Sequence, residues 1–589
     1  MQKKLLWKIG GEAGFGIMTT GLVFSKIAAR QGHHIFDYIE YPSLIRGGHN
    51  TYEVIVSDEV IGSSKSEIDI LICLNKATFT LHKSRLTKNS IVIYDKEEFT
   101  IEGEYRLVNL PFKQILKNES GVQIMINNIA LGATMALMGW DLDVLENAIE
   151  EEFAKKDQKI IEKNKKMGHA GFYHIKNLYA HLANKNFPKI EKFDEKMIVT
   201  GNESHSLGSV IGDCKFHASY PMTPASSVLS VMAGLAQEVG MVVRHAEDEI
   251  SVINTALGAS FAGARSSVAT SGGGFALMTE AISMAGICEI PVVIFLAQRP
   301  GPATGMPTWT EQADLLFAIH AGHGEFPKIV LAPGDVEEMY QLTAKAFNLA
   351  DIYQTPVIVL SDKLLSEGHQ SMSKSKFLEF AKSFKINRGK IVSTADEGYL
   401  RYAKADDGIS PMLIPNSGQP IYQANSYEHL EDGHTTESSA ERIKQVNKRE
   451  KKIATYLKND FAMPEIFGDE KKAETVIVSW GSNKGAIIDA MKMTGKKIAY
   501  VHFNHIYPLD KAKLAKLFKS DKKYLLIENN HDGQLGKLLH QEIGVEFADK
   551  LLKYDGRPIY VEEILHKLSI INFQNSNEFS LIIRKLIIH

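Results

Sequence analysis

Residues 241–302 read MVVRHAEDEISVINTALGASFAGARSSVATSGGGFALMTEAISMAGICEIPVVIFLAQRPGP. The apolar run 241–243 predicts a strand, the small-residue stretch 250–263 a helix, 266–270 a strand, 275–286 a helix and 291–296 a strand. Strands and helices alternating at this spacing form βαβ units, which build a parallel sheet with helices on both faces.

Toward the N-terminus the alternation recurs. An apolar run at 5–9 meets the glycine turn GGEAGFG (10–16), and Ile17, Leu22 and Ile27 then follow helical spacing to Gly32. Runs at 54–56, 68–74 and 91–94 predict further strands of the same layer. The mixed-charge run 146–166 predicts one solvated helix, and the polar segment 184–196 a linker. Toward the C-terminus, 389–468 fades into loop chemistry and a basic helix carrying Arg442, Lys444, Lys448 and Arg449, before strands at 475–479, 497–501 and 524–528. The expected organisation is an α/β chain in three units, 1–185, 197–388 and 469–589, with a linker at 186–196 and a connecting region at 389–468. The length of 589 residues suits this count at roughly 150 residues per domain.

Composition excludes several classes. Lys and Arg total 67 against 70 Asp and Glu, a net charge of −3, which gives no field for nucleic acid or an anionic membrane. Cys73, Cys214 and Cys288 lie too far apart for a CxxC site or a four-cysteine cluster. The apolar run after a short basic lead stops at Gly10 and Glu12 follows, unlike a secretory signal, and the most apolar stretch, 281–297, is broken by Glu289 and Pro291. A cytoplasmic protein is expected. GxxxxGK[ST], HExxH and GxSxG are absent. GGEAGFG lacks the GxGxxG register because residue 9 is Ile, yet amides around Gly11, Gly14 and Gly16 follow a predicted strand, where a helix N-terminus can receive phosphate. His429 and His434 flank EDG in a polar loop and are expected to be solvated or capping residues, with no metal bound.

Four strings each fall at or just past a predicted strand's C-terminal end: ASYPMTPASS (218–227), RHAEDEIS (244–251), TSGGGFALMTE (270–280) and QRPGPATGMPTWTEQADL (298–315). Open α/β sheets bind ligands there. Pro221 and Pro224 fix the loop that presents Thr223, Arg299 can bind a carboxylate through two parallel hydrogen bonds, and Glu249 opens an Ala/Gly-rich helix that would hold its carboxyl in an apolar surround. In the first unit EYPSLIRGGHN (40–50), with Ser43 and Arg46, reads either as a structural turn or as a ligand-facing loop.

Taken together, these strings resemble the alpha subunit of 2-oxoacid:ferredoxin oxidoreductases, in the version with the gamma domain fused ahead of the alpha domains. GGEAGFG and YPSLIRGGHN are similar to the Rossmann-like gamma domain. YPMTPAS, EDE, TSGGG and QRPGPATG resemble the thiamine diphosphate pyrimidine-binding domain, and VSWGSNKGA (478–486) with IENNHDGQL (527–535) the transketolase C-terminal-like domain. The resemblance implies oxidative decarboxylation of a 2-oxoacid, of the 2-oxoglutarate or pyruvate class, with coenzyme A, giving acyl-CoA, carbon dioxide and reduced ferredoxin. It implies that Glu249 contacts N1′ of the cofactor aminopyrimidine and favours its imino tautomer, that Tyr220, Pro221, Thr270 and Ser271 also bind the cofactor, and that Thr223 and Arg299 contact the 2-oxoacid, with Ser43 and Arg46 as further substrate contacts. TSGGG stands where TSGPG is common, YPMTPAS where YPITPSS is common and His245 where Gln often sits, which bears on substrate identity.

No GDG followed by Asn occurs in the chain. The resemblance implies that Mg2+, the diphosphate site and a [4Fe-4S] cluster lie on a beta subunit, in a heterodimer or dimer of heterodimers that serves ferredoxin. The alternative reading is a non-catalytic nucleotide-sensing or scaffold protein of the same fold.

Overall fold

A computed structural model describes residues 3–43, 48–184, 186–415, 420–519 and 522–573. Arg46 lies outside the described residues. The chain forms two compact units. One runs up to Val199 and adds Gly368–Phe377 and Tyr560–His566; the other takes Thr200–Glu367, Leu378–Ile559 and the chain from Lys567.

The first unit opens with β1 (Lys4–Glu12), α1 (Ile17–Arg30), β2 (His34–Glu40), β3 (His49–Ser57), β4 (Ile68–Cys73), α2 (Lys76–His82), β5 (Leu86–Tyr94) and β6 (Arg106–Asn109). Then follow α3 (Phe112–Asn118), α4 (Ile126–Met138), α5 (Leu142–Glu152), α6 (Gln158–Leu178) and β7 (Lys196–Thr200). Its sheet runs β6-β5-β4-β1-β3-β2, then the strand His369–Ser373, then β7. Trp7, Ile9, Phe24, Val54, Ile72 and Ile129 lie in its core.

Three expectations change here. The strand does not stop at Gly10: β1 continues through Gly10 and Gly11, which pair with Thr51 and Asn50 of β3. These glycines serve close approach, since a Cβ on Gly10 would lie 2.6 Å from Thr78 Cγ2. The turn belongs to Gly14 and Gly16, at φ 94° and 68°. The charged run 146–166 is two helices, not one: Asp157 caps α6 by accepting from Lys159 N, and Ala148, Ile149 and Ile161 are buried, so the run is not wholly solvated. The linker is docked as well, because Phe187 is buried and its carbonyl accepts from Trp140 Nε1 at 2.7 Å.

The second unit holds α7 (Gly201–Ile211), β8 (Phe216–Ser219), α8 (Ser226–Val239), β9 (Val242–His245), α9 (Glu249–Phe261), β10 (Ser266–Thr270), α10 (Gly272–Cys288) and β11 (Val292–Gln298). After these come α11 (Leu315–His320), β12 (Ile329–Leu331), α12 (Val336–Tyr353) and β13 (Pro356–Asp362). Strand order is β12-β13-β11-β10-β8-β9, all parallel, with His505–Tyr507 antiparallel on the β12 edge. A second sheet orders Glu465–Phe467, Ile498–Phe503, Thr475–Trp480, Lys523–Glu528 and Asp549–Leu552.

The three expected α/β layers are present, yet the last two pack as one unit for a physical reason. Val268, Ile294 and Leu360 share a single core with Val478, Trp480, Phe503 and Leu526, and the strand His505–Tyr507 completes the edge of the other sheet.

The connecting region also differs from its reading. His429 is fully buried rather than solvated, its ring centred 3.9 Å from that of Tyr402 and its Nδ1 3.0 Å from Tyr427 O; His434 is the exposed one, beside Asp432. The basic helix, Ser439–Asn459, turns Lys448 and Lys452 inward to Glu289, each Nζ 2.7 Å from a carboxylate oxygen. Burial opposes ionisation of Glu289, but the two ammonium groups hold its carboxyl well below the usual range. Among the described residues no single helix is long and apolar enough to cross a membrane.

Candidate active site

In the larger sheet of the second unit the chain runs from β8 outward to β9, then returns past β8 to β10 on its other side. The crevice above the C-terminal ends of β8 and β10 is therefore the switch point, where an open α/β sheet offers backbone and helix N-termini to a ligand. All four strings converge on this end of the sheet.

Glu249 is the first residue of α9. Asp248 caps that helix by accepting from Ser251 N, and this sets the register that turns Glu249 inward. Its side chain is 3% exposed and Oε1 has no protein partner. Glu247, in the same EDE string, is exposed. The first turn of α10 fits closely against Glu249: a Cβ on Gly274 would collide with Thr270 Oγ1 and lie 2.5 Å from Glu249 Oε1. Gly272–Gly274 are helical, so α10 begins three residues earlier than its apolar spacing predicts, with glycines where side chains would close the crevice. Ser271 is its N-cap, fully buried, with an Oγ that makes no capping bond and has no partner.

After β8, Tyr220 is 38% exposed and Pro221 exposed. The loop is pinned from beneath by buried Asn202, whose Nδ2 donates to Pro224 O and Ser227 Oγ, both at 2.7 Å. Arg299, half-buried just past β11, donates from Nη1 to Thr223 O at 2.7 Å, so the two residues assigned to the 2-oxoacid meet directly. Burial lowers the Arg299 pKa, and the neighbouring Asp314 carboxylate opposes this. Burial pushes Asp314 up to about 6 against the pull of Arg299. Glu311 is pushed up to about 7 by burial and by Asp314 and Asp555.

Glu249, Thr270 and Ser271 are thus together, and Thr223 with Arg299. Ser43 is exposed on the loop after β2, in the first unit. The sequence alone assigns no role to Glu311, Gln312 or Asp314 in TEQADL, although the segment's place between a Gly-Pro loop and a helix start marks it out.

Buried polar atoms without partners are rare in folded proteins and call for a ligand or water. A buried, orphaned carboxyl oxygen suits a heterocyclic ring nitrogen, so Glu249 fits the aminopyrimidine of thiamine diphosphate.

The family described as pyruvate flavodoxin/ferredoxin oxidoreductase, thiamine diphosphate-binding, matches residues 208–448, and the pyruvate ferredoxin/flavodoxin oxidoreductase family matches residues 6–173. The 2-oxoacid:ferredoxin oxidoreductase alpha subunit of Saccharolobus solfataricus is 32% identical, over 95% of this chain and 96% of its own. The 2-oxoglutarate synthase subunit KorA of Methanothermobacter thermautotrophicus is 28% identical, over 64% of this chain and 99% of its own. The solved 2-oxoglutarate:ferredoxin oxidoreductase from Magnetococcus marinus, with 2-oxoglutarate, coenzyme A and succinyl-CoA bound, superimposes at a TM-score of 0.89 with 30% identity, covering 97% of this chain and 99% of that one. This chain belongs to the 2-oxoacid:ferredoxin oxidoreductase family, as an alpha subunit.

Proposed function

We propose that this subunit supplies the pyrimidine side of a thiamine diphosphate site and the carboxylate pocket for a 2-oxoacid of the 2-oxoglutarate or pyruvate class. Coenzyme A is the acyl acceptor and ferredoxin the electron acceptor, in the cytoplasm. The observation that carries the reading is Glu249 Oε1, buried at the switch point without a partner. Thiamine diphosphate, when bound, supplies a carbon nucleophile for the 2-oxo carbon. The Glu249 carboxyl shares a proton with the ring nitrogen N1′ and so biases the cofactor's tautomer. Thr270 and Ser271 line the same wall, while Tyr220 and Pro221 border the mouth. Arg299 pairs with the substrate carboxylate and Thr223 orients it.

A beta-type partner brings the diphosphate site, Mg2+ and the [4Fe-4S] cluster, in a heterodimer or dimer of heterodimers. Parallel sheets are normally covered on both faces. Here the edge strand β9 is largely exposed, with Val242 at 60%, and α8 buries only Val228 and Met232 of an apolar sequence. An uncovered apolar flank beside a half-built site supports a partner there.

Anaerobic reconstitution with a beta-type subunit tests the reading, using a panel of 2-oxoacids. The expected result is ferredoxin reduction that needs 2-oxoacid, coenzyme A and both subunits, with the isolated chain silent. A cofactor-loaded complex that reduces nothing with any 2-oxoacid would instead favour the scaffold reading.

A further inference from the structure

The C-terminal sheet has a switch point of its own. From Thr475–Trp480 the chain goes to Ile498–Phe503 on one side and then to Lys523–Glu528 on the other, all parallel. Ligands bind in such a crevice in open α/β sheets, and the strings VSWGSN and IENN stand at its rim.

In this chain the crevice is filled by Gln312, which is fully buried. Its backbone N donates to Asn529 O at 2.7 Å and its carbonyl accepts from Asn530 Nδ2 at 3.0 Å. Its Oε1 accepts from Asn483 Nδ2 at 2.7 Å and Asn529 N at 3.2 Å; its Nε2 donates to Asp362 Oδ2 at 3.2 Å and Trp480 O at 3.4 Å. Donors face the amide oxygen and acceptors the amide nitrogen, a pattern only Gln or a shorter amide meets. Gly481, at φ 59°, completes the socket, because a Cβ there would lie 2.6 Å from Gln312 Nε2.

The neighbours of Gln312 bond to the strand ends of the larger sheet. Two residues before it, Thr310 Oγ1 accepts from Leu364 N at 3.1 Å. Two residues after it, Asp314 N donates to Gln298 Oε1 at 2.9 Å, beside Arg299 in sequence, and a Cβ on Gly272 would lie 2.5 Å from Asp314 Oδ2. We infer that Gln312 is a positioning residue for the 2-oxoacid carboxylate site, using the ligand crevice of the C-terminal sheet as a socket that holds residues 310–314, and through Asp314 and Gln298 the Arg299 guanidinium, against the start of α10. The inference rests on Arg299 as the carboxylate partner.

The test uses the reconstituted complex. Gln312→Glu keeps the shape but turns an acceptor toward Asp362 and Trp480. The expected result is a 2-oxoacid KM raised about 10-fold or more, the order of a buried hydrogen bond left unmade, with cofactor C2-proton exchange in the absence of 2-oxoacid unchanged. The double variant Gln312→Glu/Asp362→Asn restores a donor opposite an acceptor at the Asp362 contact, though not at Trp480 O, and should recover part of the KM, which a merely destabilised fold would not do. Gly481→Ala presses on the same amide from the other side, should raise KM likewise, and decides the matter where Gln312→Glu does not assemble. An active wild type with KM unmoved in these variants, or C2 exchange falling together with substrate affinity, overturns the inference alone. A wild-type complex that exchanges the C2 proton but turns over no 2-oxoacid overturns the functional reading, and this inference with it.

Discussion

Two crevices in one compact unit share the same wiring and differ in what meets their polar groups. Above β8 and β10, Glu249 Oε1 and Ser271 Oγ are buried without protein partners. Above Thr475–Trp480 and Lys523–Glu528, every polar atom of Gln312 is bonded, and Glu528 is met by Trp480 Nε1, Asn530 Nδ2 and the amides of Leu535 and Gly536. Each crevice depends on a glycine, Gly274 beside Glu249 and Gly481 beside Gln312. Topology marks where a ligand can sit; hydrogen-bonding capacity left unmet decides whether one belongs there.

The comparison breaks most sharply at Glu249. Glu249→Gln should keep the cofactor and lower kcat at least ~100-fold, the lower end for general acid–base catalysis, in steady-state assays of the complex. A smaller loss follows at Arg299: Arg299→Ala removes a charged hydrogen bond, and kcat/KM for the 2-oxoacid should fall about 10- to 150-fold with the fold retained by circular dichroism. Gly274→Ala tests the room around the carboxyl. Overpacking costs about 1–3 kcal/mol, so cofactor affinity by titration calorimetry should weaken by about 10-fold, whereas Gly481→Ala should leave that affinity alone.

The smallest effect concerns pH. Below about pH 6 Asp314 is protonated; as pH rises through about 6 it becomes an anion near Arg299 and competes with the substrate carboxylate. The 2-oxoacid KM should therefore rise a few-fold as pH passes through about 6, and Asp314→Asn should flatten that rise. A KM that falls with pH would contradict the assignment.

Much of this was legible in the sequence, for local reasons. The strands end in Gly- and Pro-rich strings, so Glu249, Thr223 and Arg299 announce themselves by standing at strand ends. What was hidden depends on distant pairing. Gln312 finds Asn483 and Asn529 171 and 217 residues away, and Glu289 finds Lys448 across 159, so neither a glutamine in a loop nor a lysine on a basic helix betrays its burial. Gly10 and Gly11 read as a turn because glycine usually breaks a strand; here they let Thr78 and Leu74 approach it.

The central claim is that the Glu249 carboxyl, not mere occupancy of the crevice, activates the cofactor. Its most direct measurement is exchange of the thiamine diphosphate C2 proton with solvent deuterium in the reconstituted complex without 2-oxoacid, read by proton NMR after acid quench. At equal cofactor occupancy, Glu249→Gln should exchange at least ~100-fold more slowly than wild type; equal rates in the two proteins would contradict the account.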